Sequence, residues 1–183
     1  MEEIIGVVIF AIVVGLMTTA WEYIKGGNKK KSMNKNIEQD TRNLFLETLT
    51  KIGCQYDLGE GEDTRIFFDY QGEHFFAYMN NNDSIYIHIW DMCWERVELY
   101  DIDEVSRLRK AINNSNLNTS VITVFTINND AKTMDVHSKS TIPFMSSMPE
   151  LDNYLKIELN EFFNAHQTVA TEMHKLRELE PNA

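Results

Sequence analysis

Apolar and polar positions along the chain fall into three regimes, and each regime predicts a different element. From Ile4 to Trp21, "IIGVVIFAIVVGLMTTAW", eighteen residues carry no charge. From Ile37 to Ile52 the apolar positions Ile37, Leu44, Phe45, Leu49 and Ile52 recur at helical spacing, and Gly53 is a natural stop. That predicts a first helix over Asn36 to Ile52. "DTRIFFDYQGEHFFAYMNNNDSIYIHIWDM" then alternates at the period of a strand. It predicts three strands, Thr64–Tyr70, Glu73–Met79 and Ser84–Asp91, joined by a tight turn at Gln71-Gly72 and a second turn at Asn80–Asp83.

"DIDEVSRLRKAINN", Asp101 to Asn114, sets Ile102, Val105, Leu108 and Ile112 on one face, with acids in the first turn and bases later. This is a second helix. "NTSVITVFTIN" and "KTMDVHSKSTI" read as two strands joined at Asn128-Asn129-Asp130. From Glu150 onward Leu151, Leu155, Leu159, Phe162, His166, Val169, Met173 and Leu176 repeat every three or four residues into a long third helix. The predicted fold class is α+β: an α-β-β-β-α-β-β-α domain with a five-stranded antiparallel sheet, preceded by a transmembrane helix.

The uncharged stretch is the right length for one membrane pass, since eighteen helical residues rise roughly 27 Å. Ile4, Ile5, Val7, Val8, Ile9, Phe10, Ile12, Val13, Val14 and Leu16 would face lipid, and Trp21 sits at the interfacial end. A cleaved signal peptide is the weaker alternative: Met1-Glu2-Glu3 is acidic where a basic region is required, and Thr18-Thr19-Ala20 is a poor exit site. Lys25, Lys29, Lys30, Lys31 and Lys35 follow the span while Glu2 and Glu3 precede it. The positive-inside bias therefore places the N-terminus outside and the C-terminal domain in the cytoplasm. The predicted organisation is an anchor over 1–24, a basic linker over 25–36, a domain over 37–178 and a tail over 179–183.

Charge narrows the partners. The 183-residue chain has a formal charge of -11, and its first 35 residues are net +2, leaving -13 for the rest. Nucleic acid is excluded as a partner on this ground, because neutralising phosphates needs clustered Lys and Arg. Cys54 and Cys93 are the two cysteines, with no C-x-x-C; in a reducing compartment they read as small apolar residues.

Templates for catalysis are absent: no G-x-S-x-G, H-E-x-x-H, P-loop or G-x-G-x-x-G occurs. Gly59-Glu60-Gly61 has carboxylates where a phosphate cradle would need none. His74, His88 and Cys93 allow a sparse metal site to be drawn, but His88 and Cys93 differ by an odd number and would leave a regular strand on opposite faces. His166 and His174, eight apart, read as a half-exposed helix surface. Asp101, Asp103 and Glu104 are explained by capping, and Glu60, Glu62 and Asp63 by a solvated turn. No cofactor or metal is expected, and no enzyme.

One surface stands out. In the third strand Ile85, Ile87 and Ile89 alternate with Tyr86, His88 and Trp90, and a sheet covered by helices on one side must bury one row. Burying the isoleucines leaves Tyr86, His88 and Trp90, with Trp94 shortly after, on an open face suited to a partner. The competing reading has the third helix or the tail covering this row.

"FLETLTKIGCQYDL", "TRIFFDYQGEHFFAYM" and "KAINNSNLNTSVITVFTINN", in an order of helix, three strands, helix, two strands, helix, resemble the bacterial YbjN and type III secretion chaperone-like group over residues 38 to 167. The resemblance implies that α/β fold and a non-enzymatic protein-binding module, often self-associating as a homodimer. With the anchor, the expectation is a membrane-tethered adaptor or chaperone-like module. The alternative is a regulatory domain sensing a small ligand in a pocket between sheet and helix.

Overall fold

A computed structural model describes residues 41–60, 64–79 and 85–179. The anchor and linker expected over 1–36 lie outside the described residues, and among the described helices none is long and apolar enough to cross a membrane.

The domain is α+β, with three helices and a seven-stranded antiparallel sheet. Helix α1 runs over 41–51 and buries Phe45 and Leu49. It ends where the sequence places the stop: Gly53 adopts φ 86°, and the Cys54 N–H donates back to the Leu49 carbonyl. Strands β1 (Tyr56–Leu58), β2 (Ile66–Tyr70), β3 (Glu73–Tyr78), β4 (Tyr86–Asp91) and β5 (Glu95–Glu98) follow. Then come α2 (Ile102–Asn118), β6 (Ile122–Asn128), β7 (Thr133–Pro143) and α3 (Leu151–Leu179).

The β2–β3 hairpin turns on Gln71 (φ 51°) and Gly72 (φ 90°), both left-handed, as a two-residue turn between right-twisted strands requires. Strand β7 organises the rest. Its last residues pair with β4 (Tyr86↔Pro143 to Trp90↔Lys139) and its first with β5 (Glu95↔Val136 to Glu98↔Thr133), so β4 and β5 lie end to end along one edge. Its other edge pairs with β6.

The sheet has seven strands where the sequence predicts five. The two additions are β1 ("YDL") and β5 ("ERVE"), short and largely exposed, so neither carries an apolar alternation to read. Pairing supplies them: β1 is held by β2 and β5 by β7. Helix α2 also runs four residues past the predicted Asn114. The asparagine-rich stretch after Asn114 stays helical because Ser115 is buried and the Asn118 side chain donates to the Asn114 carbonyl; Thr119 caps the end.

All three helices pack on one sheet face. Phe45, Phe68, Phe75, Phe144 and Phe162 form the larger cluster, with edge-to-face contacts such as Phe45–Phe144 at 5.5 Å and Phe75–Phe162 at 5.3 Å. Leu108, Ala111 and Ile112 of α2, with Val169 and Met173 of α3, close a second cluster over Met134 and Val136 of β7. The opposite face of the sheet carries the candidate site.

Candidate functional site

Strand β4 is oriented as its alternation predicts. Ile87 and Ile89 are fully buried beneath α1 and α3, while Tyr86 is 40% exposed and His88 and Trp90 are half-buried on the other side. Helix α3 packs on the isoleucine side, so it does not cover the aromatic row.

Neighbouring strands widen the row into a band. The Trp90 and Phe76 rings stack at 6.2 Å, Phe76 lies 6.2 Å from Phe67, and Tyr78 stacks on His88 at 4.9 Å. Cross-strand register produces these contacts: Phe67↔Phe76 joins β2 to β3, and Phe76↔Trp90 and Tyr78↔His88 join β3 to β4. Two cations sit over the rings. The Arg65 guanidinium is 5.2 Å from the Phe67 centroid and the Lys139 ammonium 5.0 Å from that of Trp90. A hollow of about 370 Å³ opens beside Tyr78, Trp90 and Lys139. His88 Nδ1 meets Thr141 Oγ1 at 2.9 Å, which fixes the imidazole against β7.

Phe67, Phe76 and Tyr78 are absent from the sequence-level candidates. The paired phenylalanines Phe67-Phe68 and Phe75-Phe76 each send one ring to the core and one to the open face. Such a doublet hides the phase of the strand, and only cross-strand register reveals which ring is outside.

Trp94 does not join the row. Its ring stacks on His166 of α3 at 4.2 Å and its Nε1–H donates to Ser138 Oγ at 3.1 Å, on the helix-covered side. Past Asp91 the chain leaves β4 and regains pairing in β5, so strand parity does not carry through to residue 94. His166 likewise is not on a half-exposed helix surface. Its Nε2 lies 2.7 Å from Asp91 Oδ2, and its side chain is mostly enclosed.

Asp91 is wholly buried, and its other oxygen accepts the Ser138 N–H at 2.5 Å. Burial pushes its carboxyl above the ordinary range, against the lowering by the bonds from His166 and Ser138. The polar chain continues from Ser138 Oγ to Thr123 Oγ1 at 3.4 Å, and from the Thr123 backbone to the Asn116 side chain. It ties α3, β4, β7, β6 and α2 together through groups that would otherwise be buried unpaired.

The other sequence-level candidates lie apart. His74 pairs with Asp69 on the surface, and Cys93 donates its thiol to the Glu95 carbonyl. Among the described residues, no three His, Cys, Asp or Glu side chains converge as a metal site. Cys54 is buried, which pushes its thiol pKa up. No family model, no curated protein and no solved structure matches this chain.

Proposed function

We propose that the chain is a membrane-tethered, non-enzymatic protein-binding module of the adaptor or chaperone-like kind, with its domain in the cytoplasm and a protein partner or a second copy held on the open sheet face. The observation that carries this reading is the aromatic band. Phe67, Phe76, Tyr78 and Trp90, flanked by Arg65 and Lys139, span β2 to β7 on a face no described helix covers. Stacked aromatics on a rigid sheet offer large apolar area at little cost in side-chain entropy, and cations over the rings supply a polar rim. The uncharged stretch Ile4 to Trp21 and the lysines after it support the tether and its orientation. The order of helices and hairpins supports the YbjN and type III secretion chaperone-like resemblance, with β1 and β5 as additions to that order.

The test is site-directed photocrosslinking of the full chain in its native membrane, with a photoreactive phenylalanine analogue replacing Tyr86. The same analogue at exposed Lys156 on α3 is the control. A discrete adduct from position 86 and none from 156 is expected. Loss of the position-86 adduct in favour of one at 156 would move the interface to the helices, and an ordered small molecule retained by the purified chain would favour the ligand-sensing alternative.

A further inference from the structure

At the outer edge of β6 one side chain stands in for an added strand. The Thr123 N–H donates to Asn116 Oδ1 at 2.8 Å and its carbonyl accepts from Asn116 Nδ2 at 2.9 Å, so the asparagine amide stands where a neighbouring strand's peptide group would be. Both backbone groups of Thr123 therefore point away from β7. In an antiparallel ladder this direction alternates residue by residue, so Phe125 and Ile127 also turn their N–H and C=O outward. Among the described residues no strand pairs with that edge.

Beyond Thr123, which Asn116 occupies, β6 lacks the usual protections of an edge. "ITVFTIN" contains no proline and no charge, and Phe125 and Ile127 are 38% and 44% exposed. Beside it a groove of about 990 Å³ runs between β6 and α2, with Val105, Phe125 and Arg109 among its lining residues. None of its lining residues is acidic, on a chain whose formal charge is -11.

We infer that this edge binds an extended acidic segment of a partner protein by strand addition, with β-branched residues at alternate positions. Backbone bonds to Phe125 and Ile127 supply register, and a carboxylate reaching the exposed Arg109 supplies selectivity. Charge decides between occupants. A second copy would bring the same arginine to the seam, and the chain's own linker, with Lys25, Lys29, Lys30, Lys31 and Lys35, is basic as well. The inference rests on the protein-binding reading but uses residues separate from the aromatic face.

The probe is a fluorescein-labelled nonapeptide alternating Val and Glu, titrated into the full chain in detergent micelles and followed by anisotropy. A Val–Lys counterpart is the control. The Val–Glu peptide is expected to bind at least about tenfold more tightly than its counterpart and to slow amide exchange over 122–128. Ile127→Pro removes one outward N–H without touching the ladder to β7 and is expected to weaken binding about tenfold. Arg109→Glu, a surface change that leaves the backbone intact, should do the same, and Trp90→Ala should leave peptide affinity unchanged. Equal binding of the two peptides, or full affinity in both Ile127→Pro and Arg109→Glu, overturns the inference. So does a concentration-dependent dimer that Ile127→Pro abolishes, which would give the edge to a second copy. A peptide that binds while position 86 yields no crosslink would leave the edge standing and remove the aromatic face.

Discussion

His166 Nε2 lies 2.7 Å from Asp91 Oδ2, joining the middle of α3 to the end of β4. Asp91 also accepts the Ser138 N–H, and Trp94 stacks on the imidazole, so one carboxylate and one ring hold a helix and two strands. Each partner protects the other from being a buried polar group without a bond. Asp91→Ala is expected to cost about 3–5 kcal/mol, because His166 and the Ser138 N–H would both lose their acceptor. Asp91→Asn, which keeps an acceptor oxygen, should cost less than half as much. Urea denaturation of both variants is the measurement; two variants within error of wild type would show that the network does not hold the helix to the sheet.

Acid stability should depend on two carboxylates in opposite senses. Glu104 is held below the ordinary range chiefly by the Arg177 guanidinium and next by Arg107, a contact that closes α2 against α3. Its folded pKa lies below its unfolded one, so its contribution is present above about pH 4.3 and disappears as pH falls through the lower folded value. Asp91 is raised by burial, so its contribution is present below about pH 3.9 and disappears as pH rises through the raised value. Glu104→Gln is therefore expected to flatten the acid limb of a stability–pH curve, at a cost near neutrality of about 0.5–1 kcal/mol. Asp91→Asn should steepen the limb. The same slope in both variants would contradict the assignment.

What the sequence conceals here follows from the range of the forces involved. The helices and the central strands were legible because burial on one face imposes a period, and Ile87 and Ile89 obey it. β1 and β5 bury almost nothing and exist because β2 and β7 offer free edges, which no local pattern records. Tyr86, His88 and Trp90 could be placed from alternation within one strand; Phe67, Phe76 and Tyr78 needed the register between strands. His166 sits at a helical position shared with core residues, and its partner is 75 residues earlier in the chain. Nothing near either residue announces the pairing.

Strand β4 allows its two faces to be tested against one another. Ile87 is fully buried between α1 and α3, so Ile87→Ala should cost about 2–5 kcal/mol. Trp90 is half-buried and loses its stack on Phe76 and the Lys139 contact, so Trp90→Ala should cost about 1–2 kcal/mol, with a larger effect on partner capture. Denaturation curves read beside crosslinking yield at position 86 separate the two effects. A severely destabilised Trp90→Ala together with unchanged crosslinking would assign the band to stability alone.

The proposed membrane tether and its direction are the remaining expectation. Five lysines follow the uncharged stretch Ile4 to Trp21 and two glutamates precede it, and lysine close to a span's end is what holds that end in the cytoplasm. The -13 charge on the rest of the chain adds little to topology, since acidic residues weigh weakly in this bias, but it would repel the domain from an anionic inner leaflet. The sheet edge and aromatic face would then be presented to cytoplasmic proteins, with the basic linker alone near the headgroups. A reporter active only outside the cytoplasm, fused after Ala183, should be silent, and a cytoplasmic reporter at the same position should be active. Replacing Lys25, Lys29, Lys30, Lys31 and Lys35 by glutamine while adding lysines beside Glu2 and Glu3 should raise the external reporter at the expense of the internal one. External activity from the unaltered chain would place the domain on the other side of the membrane, and its partners with it.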